Sequence, residues 1–435
     1  MSKSKTPKSS KSTKIYNGDK FKFEYQDIKY KLDFVHPKLE QKREEILKSI
    51  QIKFQKTVLK NIKEEFIKGK SPKDAQTILD IMFLRFIMKQ LSKESNDPVI
   101  PSKVYSQDSL INDLTNKLNR NKELKDSKKK DIINKILNEL NLNKLFKNAQ
   151  DEVFKFKLPK EPPNVVKTEK DKFIVLAFGD DVIDIYNKLY TKLISKFKPQ
   201  DADVPNPDVL IWCLIKRYIY LRSFNQQLAV HPQTMKDMKK FGVGFELFGS
   251  ALNTYFDKYC SLFYDIEKYF GSFGSIDNFK PIKGNYTMNP PFDEFIIRDS
   301  CNILIESLKE SKESNQMDNL RFFIWIPIWD KKGIEFVNKE CKNEFSVNPD
   351  TYGKYEGLEI LEKSKFLKCK QEICLQSMSY YDYQWFKIKR VANTYLIVLS
   401  NVETDCKEVF NMKLNHEEYK EGEKKLKNEV AAVSK

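Results

Sequence analysis

Histidine is scarce in this chain: His36, His231 and His416 are the only three in 435 residues. Chemistry that needs a cluster of imidazoles has little to draw on, and no metal site is expected. The seven cysteines are irregularly spaced; the nearest two, Cys369 and Cys374, form neither a CxxC zinc pattern nor a paired framework. Reduced thiols in an intracellular compartment are therefore expected, with the nucleus, or the cytoplasm for a viral protein, as the place. No signal peptide is expected, and no apolar run of membrane length appears. The most apolar helix, residues 78–91, is interrupted by Asp80, Arg85 and Lys89 and reads as a core helix.

What is present is a globular composition, 40% hydrophobic and 13% aromatic, in a chain long enough for two domains. A net charge of +16 gives a positive field suited to an RNA backbone. Lysine greatly outnumbers arginine, so compositional bias accounts for the charge equally well.

The stretch that carries chemistry is Asn289-Pro290-Pro291-Phe292, at the end of an expected strand. The lone pair of a nucleobase amino group is delocalised into its ring. It attacks a sulfonium methyl poorly unless acceptors hold its N–H groups and favour a tetrahedral nitrogen. The Asn289 side-chain oxygen and the Pro290 carbonyl are such acceptors, and the two prolines aim that carbonyl. Phe292 offers a flat face to an unstacked base. No strong base is required, because the amine proton becomes acidic once the methyl has moved. A plain structural turn is the alternative reading of so short a motif.

Upstream, residues 241–253 read as a buried strand ending at Glu246, then a small-residue turn with Phe248, Gly249, Ser250 and Asn253, opening into an amphipathic helix at 254–263. A strand, a Gly/Ser turn and a helix N-terminus form a cradle for S-adenosylmethionine, with Glu246 toward its ammonium group. A second loop, residues 269–279, is no GxGxxG fingerprint and lacks the Lys-Ser/Thr of a P-loop. Its glycines and aromatics suit closure on a planar ligand, with Asp265 or Asp277 offered to a ribose hydroxyl or the cofactor's amino group.

In this order the pieces resemble the catalytic domain of the phosphorylated-CTD-interacting-factor family, over residues of about 239–401. The likeness is carried by Phe241-Gly242-Val243, Glu246, Ser250, Leu252-Asn253, Tyr255-Phe256, Tyr259-Cys260-Ser261, Tyr269-Phe270-Gly271-Ser272, Asp277, Phe279, Asn289 to Phe292, and Ile326-Pro327 with Trp329. The resemblance implies N6-methylation of a 2′-O-methyladenosine that follows a 7-methylguanosine cap. It also implies capped mRNA as substrate and Asn289, Pro290 and Phe292 as catalytic residues. Pro291, Phe292, Trp329 and Arg217 are the candidate substrate contacts. RNA polymerase II is an implied associate, although no WW module with two spaced tryptophans is visible, the first tryptophan being Trp212. Two alternatives stay open: methylation of internal adenine in RNA or DNA, and a non-catalytic RNA-binding scaffold of the same fold.

The expected organisation is α/β, a Rossmann-like class I methyltransferase domain with an N-terminal helical domain. Residues 1–20 are expected to be a disordered basic tail and 21–156 helical, with Leu39, Ile46, Ile50, Phe54, Val58 and Ile62 on one face and breaks at Ser71-Pro72 and at 97–101. Residues 157–238 read as a connecting hairpin and helices, including a helix at 207–221 that bears Arg217. Residues 239–410 read as the catalytic domain, with strands at 285–288, 321–328 and 395–400, the last forming a hairpin with 385–391. A charged tail occupies 411–435.

Overall fold

The computed structural model describes residues 10–416 except 33, 68–70, 92–94, 200–203, 224–226, 292, 314–317, 329–355, 375–376, 384–385 and 390–392. The chain is a mixed α/β protein that divides into two compact units. One holds the described residues up to 13, 26–225 and 262–270, and the other holds 14–25, 226–261 and the described residues from 271 on.

The first unit is led by α1 (Pro37–Ile67), on which Leu39, Ile46, Ile50, Phe54, Val58 and Ile62 recur at helical spacing and are all buried. The helix departs from helical geometry at Ile62, with φ −141° and ψ 40°. Pro72 opens α2 (Pro72–Leu91) at its first position, where the missing N–H costs nothing, and the Ser71 hydroxyl accepts the Asp74 N–H. Helices α3 (Asp108–Leu118), α4 (Asp126–Leu140) and α5 (Leu142–Lys155) follow. Next come strands β3 (Val166–Lys170), β4 (Phe173–Phe178) and β5 (Asp181–Tyr186), an antiparallel sheet in that order. Helices α6 (Asn187–Lys196) and α7 (Pro207–Tyr220) and the short α9 (Tyr264–Glu267) complete the unit.

The second unit is built on a mixed sheet. Its path runs β1 (Ser10–Asn17), β2 (Lys22–Lys29), β9 (Phe279–Met288), β10 (Leu320–Pro327), β14 (Thr394–Ser400) and β11 (Leu367–Ile373). Strand β7 (Val243–Glu246) pairs with β9, and β8 (Lys258–Tyr259) pairs with β7. Strands β8, β7, β9 and β10 are mutually parallel, while β14 is antiparallel to both its neighbours. One edge of β9 serves two partners, β2 along its first half and β7 along its second. Gly284 sits at the changeover with φ +122°, and a Cβ there would lie 2.5 Å from the Phe21 ring.

Helix α10 (Glu294–Glu313) crosses from β9 to β10 and buries Ile297, Cys301, Leu304 and Leu308 in the core that holds Phe245, Tyr286, Met288 and Phe322. Another core joins Val243, Phe323, Trp325 and Leu396 to Met235 and Met238 of α8 (Pro232–Met238). A small sheet, β6 (Leu228–Val230), β12 (Tyr380–Asp382) and β13 (Lys387–Lys389), belongs to the same unit.

Several expectations are corrected. Residues 10–17 form a strand and Tyr16 stacks on the buried Phe23 at 4.7 Å, so the N-terminal tail is structured from residue 10 on. At the other end Leu414 and His416 are buried, and residues 417–435 lie outside the described residues. The hairpin partner of β14 is β11, not 385–391, because β13 pairs with β12 instead. Cys369 and Cys406 form a disulfide with Cα atoms 5.6 Å apart, so the thiols are not all reduced; Cys213, Cys260 and Cys301 are free and buried.

Candidate active site

The site is assembled at the carboxyl ends of β7 and β9. These strands are parallel with Glu246 opposite Thr287, so the turn after one and the motif after the other leave the sheet at the same end. Beyond the strands the Leu247 N–H still donates to the Thr287 carbonyl at 2.8 Å. Asn289 and Pro290 follow Met288 directly. The Asn289 Oδ1 atom is buried and has no hydrogen-bond partner among the described residues. A buried acceptor left unpaired costs about 1–3 kcal/mol, so its presence calls for a donor from elsewhere. Pro290 is buried and Pro291 half-buried, and the Pro291 carbonyl accepts the Asp293 N–H at 2.7 Å. Phe292 and Trp329, expected as base and substrate contacts, lie outside the described residues.

Asp293 starts α10 by accepting the N–H groups of Phe295 and Ile296, each at 3.1 Å. This helix-start signal was readable in the sequence and locks the far side of the motif. Next to it, burial pushes the Glu294 carboxyl up to about 7, against opposing hydrogen bonds from the Glu356 and Gly357 backbone.

The turn after β7 is tightly closed. Glu246 Oε1 accepts from the Thr254 hydroxyl at 2.6 Å and from the N–H groups of Tyr255 and Phe256 at 2.6 and 2.8 Å. Asn253 Oδ1 accepts the Ser250 N–H at 2.8 Å, and the Ser250 hydroxyl donates to Gln227 at 2.6 Å. Phe248, Gly249 and Asn253 are half-buried, while Glu246 and Ser250 are buried.

The expected helix over 254–263 is absent. Its place is taken by the turn held on Glu246 and by β8, because a carboxylate that collects three donors fixes a compact loop more strongly than helix propensity does. The loop after residue 269 pairs with this segment instead of standing free. Phe273 N–H donates to Tyr259, Ser261 N–H donates to Gly274, and Gly271 adopts φ +101° where a Cβ would meet the Asp257 carbonyl. Asp277 lies in the short helical turn Ile276–Asn278, its N–H donating to the Ser275 hydroxyl.

Two candidates are corrected. Arg217 is fully buried in the first unit, its guanidinium bonded to Asp265 at 2.8 Å and to Glu40 at 2.5 Å. Arg43 joins the same group through Glu40 and Asp97. Both Arg217 and Asp265 are spent on this internal network, which removes the first as a phosphate contact and the second as a cofactor ligand. Sequence reasoning also passed over Thr287, Trp325 and Gln227, whose polar contacts link segments far apart in the chain.

Among the described residues no group of His, Cys, Asp and Glu is arranged to hold a metal, and no helix is long and apolar enough to cross a membrane.

Comparison with known proteins bears on this site. Residues 186–355 match the family described as the phosphorylated CTD interacting factor 1 WW domain, and this span contains Glu246, the turn after it and Asn289. A mouse protein named mRNA (2'-O-methyladenosine-N(6)-)-methyltransferase is 30% identical over 255 residues, 55% of this chain and 33% of that protein. The human protein of the same name is 30% identical over 254 residues, with the same coverage.

Over residues 186–355 the chain is similar to the phosphorylated CTD interacting factor 1 family.

It spans about a third of the length of these relatives. The described residues of the family span run from α6 to β10, and Trp212 and Trp325 within it are both fully buried.

Proposed function

We propose that this chain is an S-adenosylmethionine-dependent methyltransferase acting on N6 of the first transcribed adenosine of capped mRNA. The observation that carries the reading is Asn289 Oδ1, a buried acceptor without a partner among the described residues, presented where the parallel strands end. The names of the relatives point to the same amine, N6 of a 2'-O-methyladenosine in mRNA. The sheet order β8-β7-β9-β10-β14-β11, parallel except for β14, supports a Rossmann-like class I methyltransferase domain.

S-adenosylmethionine supplies an electrophilic methyl group. Asn289 Oδ1 accepts one N–H of the adenine amino group and the Pro290 carbonyl accepts the other, so the nitrogen becomes more tetrahedral, its lone pair is withdrawn from conjugation with the ring, and the amine proton is lost to solvent once the methyl has been transferred. Phe292 stacks on the base. Glu246 places negative charge beside the half-buried Phe248, Gly249 and Asn253, a setting that suits a ligand with a cationic ammonium group. In this reading the protein works in the nucleus, or in the cytoplasm if it is viral.

The test is incubation of the purified chain with methyl-labelled S-adenosylmethionine and RNAs that differ only in cap and first nucleotide. Label is expected in capped RNA that begins with adenosine. Equal labelling of uncapped RNA, or preference for duplex DNA, would assign the same chemistry to another adenine.

A further inference from the structure

The strand that presents Asn289 carries a second buried polar pair. Thr287, two residues earlier and 1% exposed, accepts the indole N–H of the fully buried Trp325 at 3.1 Å. Its backbone carbonyl accepts the Leu247 N–H at 2.8 Å. Its neighbours across the sheet are Glu246 on β7 and Phe323 on β10. One residue therefore ties the strands on both sides of β9 at the point where the chain leaves the sheet for the motif.

Packing alone does not call for this pair. The core around Trp325 is made of Val243, Phe323, Leu396, Val398 and methionines, so apolar side chains alone could fill it with no polar atom to satisfy. A hydrogen bond adds direction. The indole plane is fixed by its packing and its single N–H points at one place, which holds the Thr287 hydroxyl and the backbone from 287 to 289 in one arrangement. Asn289 Oδ1 has no partner among the described residues to orient it, so its aim depends on whatever fixes that backbone.

We propose that the Trp325–Thr287 hydrogen bond is the positioning device of the methyl transfer, setting the direction in which Asn289 meets the amine. This rests on the reading of Asn289 as the amine acceptor. The experiment uses the full chain with Thr287→Val, Thr287→Ser, Trp325→Phe and Asn289→Ala. Each variant is checked by thermal melting, then assayed for single-turnover methyl transfer to capped RNA and for S-adenosylhomocysteine affinity. Thr287→Val and Trp325→Phe are expected to slow transfer at saturating RNA by about tenfold or more, since small misplacements of reacting groups reach about 10²-fold. Cofactor-product affinity should stay near wild type, and Thr287→Ser, which keeps the acceptor, should restore most of the rate.

Wild-type transfer by a folded Thr287→Val while Asn289→Ala is inactive would overturn the positioning role and leave the amine acceptor standing. A loss confined to S-adenosylhomocysteine affinity would overturn it as well. Wild-type transfer by Asn289→Ala would remove the reading beneath it. If Thr287→Val does not fold, Trp325→Phe decides, because it orphans no donor: full transfer by that variant overturns the role.

Discussion

Glu246 accepts the Thr254 hydroxyl at 2.6 Å, and the same carboxylate oxygen takes the next two backbone N–H groups. The carboxylate builds the turn before it meets any ligand, so its charge and its acceptor role are separable. Glu246→Ala leaves buried donors unpaired at about 1–3 kcal/mol each and should lower the melting temperature together with S-adenosylhomocysteine affinity. Glu246→Gln keeps an acceptor oxygen, so it should melt nearer to wild type and lose mainly affinity. Titration calorimetry beside thermal melting checks this. Unchanged affinity in a folded Glu246→Gln would confine Glu246 to the turn.

Arg217 provides a test of the corrected assignment. Burial raises the Glu40 carboxyl, but Arg217 and Arg43 hold it down at about 2. Arg217→Met takes the cation from buried Asp265 and leaves Glu40 with Arg43 and the Tyr220 hydroxyl, and breaking this buried network should cost about 3–5 kcal/mol in chemical denaturation near neutral pH. The salt dependence of RNA binding by the folded variant should not change, since a phosphate contact would be lost as a reduction of about one unit in the slope. Such a reduction would return Arg217 to the RNA interface.

The Glu40 shift also fixes a sign. Its folded value lies below the ordinary value, so the stability that it contributes is present above about 4.5 and is lost as pH falls toward about 2. Acid denaturation of Glu40→Gln should lack that part of the curve.

His231 gives a second pH dependence in a higher window. It is 2% exposed, stacks on His416 with ring centres 4.2 Å apart, and its Nδ1 accepts the Gln233 N–H at the start of α8. Burial, then the neighbouring His416, lowers its value from 6.5 to about 4. The unfolded chain therefore binds the extra proton first, and stability should fall as pH drops from about 6.5 to about 4, by on the order of 2–3 kcal/mol. His231→Asn keeps an acceptor for Gln233 and should flatten that window in urea titrations. A slope unchanged by the substitution would place the titrating group elsewhere.

What could be read from the sequence follows the range of the interactions concerned. The buried face from Leu39 to Ile62, the break at Ser71-Pro72 and the hairpin after residue 157 are local patterns, and each stands where it was expected. The partner of β14 was misread because β11 and β13 both precede it closely, and only distant pairing chooses between them. The helix over 254–263 failed for a similar reason, since the residue that decides its geometry, Glu246, lies outside it. Arg217 has the composition of a phosphate contact; only Glu40, 177 positions away, shows that it is a buried structural ion. Asn289 was legible as a motif, whereas its unpaired state required the folded chain.

The decisive measurement is nucleoside mass spectrometry of the 5′ end of capped, adenosine-initiated RNA after reaction with the full chain and S-adenosylmethionine, with Asn289→Ala run beside it. The expected result is one added methyl on N6 of the first adenosine with the wild-type chain and a loss on the order of 10²-fold or more with Asn289→Ala. Methyl groups on internal adenines or on uncapped RNA to the same extent, or undiminished transfer by the folded Asn289→Ala protein, would contradict it.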